Sequence, residues 1–163
     1  MAARPASLPA KYHDHWDHPW TEKARKTLGF RRWLKKNGYL TPHFPTSDSK
    51  CKDGTPVPRW LSYRCRQHAF QLEKFRHAVG DVPLDVLSWY RHRAYNRKIG
   101  GASQSKHILA IATDFAKETV DKVGRKRWFQ VADVIFANGG VGDYPAGSAH
   151  LDSRGYRARW RSF

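Results

Sequence analysis

The chain has 163 residues, with 30 Lys and Arg against 14 Asp and Glu, a formal net charge of +16, 40% hydrophobic residues and seven Trp. That length suits one domain with its own core, and the composition excludes a disordered chain. No run approaches ~18 consecutive apolar residues, which excludes a membrane-spanning helix, and "MAARPASLPAKYHDHWDHPW" lacks the apolar h-region of a signal peptide.

A field this positive attracts polyanions of any kind: nucleic acid, a bacterial wall bearing teichoic acids, or anionic lipid. The basic residues lie in scattered clusters such as "KARK" (23–26) and "RGYRARWR" (154–161), and none forms a long tail. Cys51 and Cys65 are too few for a disulfide framework and lack zinc-finger spacing, so they read as ordinary thiols, with at most one bridge between them.

In chain order, residues 1–20 carry three prolines and His13, His15 and His18 among polar and aromatic neighbours, and read as a loosely ordered lead-in. The remainder, 21–163, reads as a single domain. "TEKARKTLGFRRWLKKNGYL" predicts a short amphipathic helix, with Thr21 as its N-cap, Leu28, Trp33 and Leu34 on one face, and Gly38 as its stop. "TPHFPTSDSKCKDGTPVP" is turn-rich. "RWLSYRCRQHAFQLEKFRHAV" is the clearest helix: Leu61, Cys65, Ala69 or Phe70, Leu72, Phe75, Ala78 and Val79 recur at three- and four-residue steps up to Gly80. "PLDVLSWY" predicts a buried strand and "RHRAYNRKIGGASQS" a polar loop. A second helix is expected from Lys122 or Arg125 to Asn138, stopping at Gly139-Gly140. The tail "VGDYPAGSAHLDSRGYRARW" alternates like a hairpin with its turn at "PAG". The expected fold class is α+β, a small, mainly antiparallel sheet flanked by helices.

One stretch carries chemistry. "SQSKHILAIATDF" (103–115) places His107 and Asp114 seven residues apart in an otherwise apolar, small-residue run. A buried segment keeps both groups when something between them offsets their desolvation. His150, in "SAHLDSR", sits on a predicted strand that would fix its direction and supply a third donor. Two His and one carboxylate with an open fourth position is the ligand count of a catalytic zinc site, in which zinc lowers the pKa of water to about 7 and polarises a carbonyl. Taken singly, His107 reads equally as a hydrogen-bonded core histidine, Asp114 as a helix cap and His150 as a surface residue.

The runs "SWYRHRAYNRKIGGASQSKHILAIATDF" (88–115) and "GVGDYPAGSAHLDSRGYRARW" (140–160) closely resemble the zinc D-Ala-D-Ala carboxypeptidase family (peptidase M15-like), peptidoglycan peptidases that include many phage endolysins. "GYLTPHFPTSDSKCKDGTPVP" (38–58) resembles the family's N-terminal approach segment. Five elements occur in order: Ser-x-Tyr-Arg, Tyr-Asn, Gly-Gly-Ala, Ser-x-His with Asp seven residues on, and a late His-x-Asp followed by Trp. The resemblance implies a zinc site in a cleft on the sheet, with His107, Asp114 and His150 as ligands. It implies that Arg91 grips the substrate carbonyl or carboxylate, an assignment its bidentate fork suits. Ser105 would shape the turn that aims His107, and Tyr144 would join Arg91 and Ser105 in binding substrate.

Two positions depart from the family pattern. Ala110 stands where a glycine is usual, which one methyl tolerates if the backbone is not left-handed. Gly147 stands three residues before His150, where the family often has its catalytic carboxylate. The general base is then Asp152 or Asp143, Asp152 being favoured, and either instead orients a ligand histidine from behind.

The resemblance implies a zinc metallopeptidase cutting the peptidoglycan stem peptide, an endolysin made in the host cytoplasm as a monomer. It would act on the wall after release, with anionic cell-wall polymers as partners and no specific nucleic acid. The rival reading, a basic nucleic-acid-binding protein whose histidines hold a structural metal, rests on the charge and the interleaved aromatics. It lacks any helix-turn-helix, finger or single-strand-binding signature.

Overall fold

The computed structural model describes residues 3–161. Helices α1 (His13–Asp17), α2 (Glu22–Lys26) and α3 (Leu28–Lys36) lead into a small hairpin of β1 (Tyr39–Thr41) and β2 (Phe44–Pro45). The long helix α4 (Ser62–Ala78) follows, then β3 (Val86–Ser88), α5 (Arg93–Lys98) and β4 (Ala112–Phe115). The chain continues through α6 (Lys117–Val123), α7 (Arg125–Ile135), β5 (Gly140–Asp143), β6 (Ala149–Asp152) and β7 (Ala158–Arg161). The main sheet has the order β3-β4-β6-β5-β7, and every pairing is antiparallel except β5 with β7. The α+β class with a mainly antiparallel sheet is as expected.

Alternation along β4, β5 and β6 divides this sheet into two faces. Phe115, Val141, Ala149 and Leu151 point into the main core, where they meet Cys65, Ala69, Leu72 and Phe75 of α4 and Trp128 and Ala132 of α7. Phe75 meets Trp128 edge-on at 4.8 Å. Full burial of side chains this large contributes roughly 1.5–3 kcal/mol each. The other face carries Asp114 opposite His150 and Ala112 opposite Asp152. A one-residue slip would exchange the two sets, so the apolar face sets the register of the polar one.

Several sequence expectations change. The lead-in is ordered where it is described: a 3-10 turn over Ala10–Tyr12 and α1 carry Trp16 into a second cluster with Leu8, Phe30, Leu34 and Phe70. Helix α4 therefore packs on two sides, with Phe70 turned toward this cluster and Ala69 toward the main core. Thr21 does cap α2, accepting from the Ala24 amide. The predicted single helix is broken at Thr27, and Leu28 is half exposed while Phe30 takes its place inside.

"PLDVLSWY" forms the edge strand β3, which is not buried throughout. It pairs on one side only, leaving Leu87 exposed before Trp89 and Tyr90 turn inward. The predicted polar loop contains α5, capped by His92, whose Nδ1 accepts from the Tyr95 amide. A histidine cap on a six-residue helix leaves little periodicity to read. The second long helix takes the Arg125 start: Gly124, with φ of 89°, separates it from α6, and it ends at Ile135, short of Asn138. Cys51 and Cys65 are both buried and unbridged, and burial pushes the Cys65 thiol up to about 12.

Candidate metal centre

His107, Asp114 and His150 converge, with their donor atoms within 4.8 Å of one another. Asp114 sits on β4 directly opposite His150 on β6, so strand register alone brings them together. His107 arrives from the 3-10 turn Lys106–Leu109 just before β4, and Ser105 caps that turn by accepting from the His107 amide. His107 Nε2 lies 3.2 Å from Asp114 Oδ2, and His150 Nδ1 lies 2.8 Å from Asp114 Oδ1.

The far side of each ring decides what the near side can do. His107 Nδ1 lies 2.5 Å from the Trp89 carbonyl, which has no proton to give, so this nitrogen carries one. His150 Nε2 lies 2.8 Å from Asp152 Oδ2. Burial would raise the Asp152 pKa, but bonds from Arg154 and His150 hold it well below the usual carboxylate range. Ionised Asp152 accepts, so Nε2 of His150 is protonated. The second nitrogen of each ring, His107 Nε2 and His150 Nδ1, faces Asp114; burial opposes a charge on His150, but hydrogen bonds to Asp114 and Asp152 outweigh it and raise its pKa, so Nδ1 can carry a proton when no metal is bound. Burial would likewise raise the Asp114 pKa, but its close contacts with His107 and His150 outweigh it and keep the group anionic. A divalent cation would take the place of that Nδ1 proton, with His107 Nε2, His150 Nδ1 and an Asp114 oxygen as its donors. Nitrogen, nitrogen and carboxylate oxygen are the donor set of divalent zinc, so the residues fit that metal.

Asp152 is placed to orient rather than to activate water. Its carboxylate receives His150 Nε2–H, the Gly140 amide at 3.0 Å, and Arg154 through both Nε at 2.8 Å and Nη2 at 2.6 Å. It is fully buried behind the ring, beyond the nitrogen remote from Asp114. Of the two roles weighed for it, general base or orienter of a ligand histidine, this geometry fits the second. Asp143 is no substitute: it lies on β5 opposite Ala149, on the helix-packed face, and is held by Arg125 and Arg161. Gly147 has φ of 90° in the turn between β5 and β6, a conformation that disfavours a side-chain carboxylate there.

Arg91 donates from Nη2 to Asp114 Oδ2 at 2.6 Å and from Nε to Ser88 Oγ at 3.0 Å, while its amide bonds the His107 carbonyl. It thus belongs to the centre, gripping a ligand. Tyr144 faces the His150 ring edge-on at 6.4 Å. Burial, reinforced by the charge of Asp114, raises its phenol pKa, so it remains an O–H donor.

Two participants had no assigned role in the sequence reading. Arg154 forks onto Asp152, and Trp160 on β7 lies 5.0 Å from the His150 ring. The available signal was the glycine pattern of "GVG". A Cβ at Gly140 would lie 2.1 Å from Asp152 Oδ2, and one at Gly142 would lie 2.5 Å from Trp160. Both glycines leave room for these two side chains. Ala110 does adopt the left-handed conformation, with φ of 56°. The condition for tolerating its methyl is therefore not met, and this buried turn carries a strain of roughly 1–2 kcal/mol.

The Peptidase M15 family profile matches residues 39–152, a span containing all three donors and Asp152. The chain belongs to the peptidase M15 family. Within it, 45 residues align at 40% identity with the zinc D-Ala-D-Ala carboxypeptidase of Streptomyces albus G. That alignment covers 28% of this M15 chain and only 18% of the relative's length.

Proposed function

We propose that this M15 chain is a zinc-dependent peptidase that hydrolyses an amide bond in the peptidoglycan stem peptide or its cross-link. The observation that carries the reading is the convergence of His107 Nε2, His150 Nδ1 and the Asp114 carboxylate, with both far ring nitrogens committed as donors. Zinc held there supplies Lewis acidity, polarising an amide carbonyl and making water more acidic. Asp152, backed by Arg154, holds the His150 ring and its tautomer. Arg91, fixed on Asp114 and Ser88, presents its guanidinium beside the centre to a substrate carbonyl or carboxylate. Tyr144 keeps its proton and can donate it in a hydrogen bond to an oxygen that gains charge.

The substrate class rests on family membership and on the named activity of the Streptomyces relative. We further place the protein with the phage endolysins, acting as a monomer on the wall after release from the cytoplasm. The net charge of +16 supports that reading, since it favours retention on anionic wall polymers.

Mass spectrometry of purified peptidoglycan digested with the protein tests the activity. New stem-peptide termini should appear and should vanish when a chelator is added. Intact peptidoglycan after incubation with zinc-loaded protein would refute the reading. For the endolysin role, expression in a bacterial host should cause lysis only when a separate membrane pore is co-expressed.

A further inference from the structure

A groove distant in sequence from the metal centre runs between α3, the 46–57 loop and the start of α4. Its walls carry Arg31, Arg32 and Lys35 of α3, Lys50 of the loop and Arg59 just before α4, and no described lining residue is acidic. A sixth cation, Arg66, is spent on the carbonyls of Tyr39 and Leu40. Between the cations lies apolar surface from Leu28, Leu40 and Val57.

The rim is more telling. Leu28 is 50% exposed, Tyr63 65% and Trp60, in the turn before α4, 74%. Arg31 stands over the Tyr63 ring at 5.9 Å. A solvated basic surface gains nothing from an exposed Leu28 and Tyr63 lining it, with Trp60 exposed next in the chain to Arg59. Cations interleaved with exposed aromatics are what an anionic bilayer interface selects: rings settle at the headgroup level, while Lys and Arg meet the phosphates.

We propose that this face docks the protein onto an anionic phospholipid surface, with Trp60, Tyr63 and Leu28 entering the interface and Arg31, Arg32, Lys35, Lys50 and Arg59 pairing with lipid phosphates. The general positive charge brings the protein near any polyanion; this face adds the apolar component that a soluble polyanion does not require. The inference stands independently of the peptidase reading.

The test is co-sedimentation with phosphatidylcholine vesicles, with and without phosphatidylglycerol, at physiological ionic strength. Wild-type protein should bind only the phosphatidylglycerol vesicles. Each cation near the surface contributes about fivefold in partitioning, so Arg31→Gln/Lys35→Gln/Arg59→Gln should lose on the order of a hundredfold. A control of equal charge, Lys98→Gln/Lys122→Gln/Lys126→Gln, should lose much less, because none of the three lines the groove. Trp60→Ser/Tyr63→Ser should weaken vesicle binding while leaving binding to soluble polyphosphate or duplex DNA unchanged. Trp60→Ser alone, at a 74% exposed position, gives the same reading without risk to the core. Equal losses in the two charge triples would overturn the proposal, as would full vesicle binding by the aromatic variants.

Discussion

The ring of His150 is held between two carboxylates, with Nδ1 2.8 Å from Asp114 Oδ1 and Nε2 2.8 Å from Asp152 Oδ2. As a metal ligand the ring would be neutral, with one proton that can satisfy only one of them. Arg154 and the Gly140 amide fix Asp152 as the anion that receives it, so the lone pair is turned toward Asp114. A ligand nitrogen is thereby prepared by groups that never touch the metal.

Asp152→Asn separates orientation from general-base catalysis. An Asn whose NH2 faces Nε2 offers a donor where the ring needs an acceptor, which favours the wrong tautomer. Zinc affinity should fall about 10–100-fold, read by competition with a chromophoric chelator, and excess zinc should restore activity. A variant that keeps wild-type affinity and stays inactive would return the base role to Asp152. Asp143→Asn should leave affinity unchanged, since its carboxylate serves Arg125 on the other face.

The ligand set makes a simpler prediction. Elemental analysis should find one zinc per wild-type chain and little in His107→Ala or His150→Ala. Both rings are nearly buried, so a loss of fold must be checked by circular dichroism. Full zinc occupancy in either variant would break the assignment.

Arg91 makes two directed hydrogen bonds, through Nε to Ser88 and through Nη2 to Asp114. Arg91→Ala should keep zinc and fold but lose on the order of 10²–10³ in kcat, as when a donor to a developing oxyanion is removed. Arg91→Lys should recover little, because one ammonium cannot hold Ser88, Asp114 and substrate together. Wild-type kcat/KM in the Lys variant would show that the fork is irrelevant.

The donors were legible because each stands out against its local pattern: His107 and Asp114 in an apolar run, and His150 on an alternating strand. The hairpin of β5 and β6 could be read from alternation, and α4 from its three- and four-residue steps. What the sequence concealed depends on contacts between distant segments. Nothing local says that Asp152 faces the back of a ring, that Arg154 folds onto it, or that β7 pairs parallel to β5. The same holds for the ordered N-terminal segment, whose Trp16 is explained only by Phe30, Leu34 and Phe70. The left-handed turn at Ala110 was hidden because alanine gives no sign of it.

A buried histidine behind the sheet gives the last prediction. His68 of α4 is fully enclosed, with Nδ1 2.7 Å from Ser153 Oγ and Nε2 2.9 Å from Thr113 Oγ1. Burial pushes its pKa down to about 3, against an ordinary value of 6.5. The unfolded chain therefore binds a proton below pH 6.5 that the native state refuses until about pH 3. With the folded pKa depressed, stability is fully present above the unfolded pKa and falls as pH drops through this window. The slope from this group approaches about 1.4 kcal/mol per pH unit. Urea unfolding of wild-type protein and His68→Gln at a series of pH values would isolate it. The Gln variant, which can still bond one hydroxyl, should be less stable at neutral pH yet lose less stability between pH 6.5 and 4. The carboxylates Asp114 and Asp152, also depressed, act below about pH 4, so they do not obscure the upper part of this window. Parallel curves for the two proteins would mean that His68 becomes protonated in the folded state and that its enclosure opens.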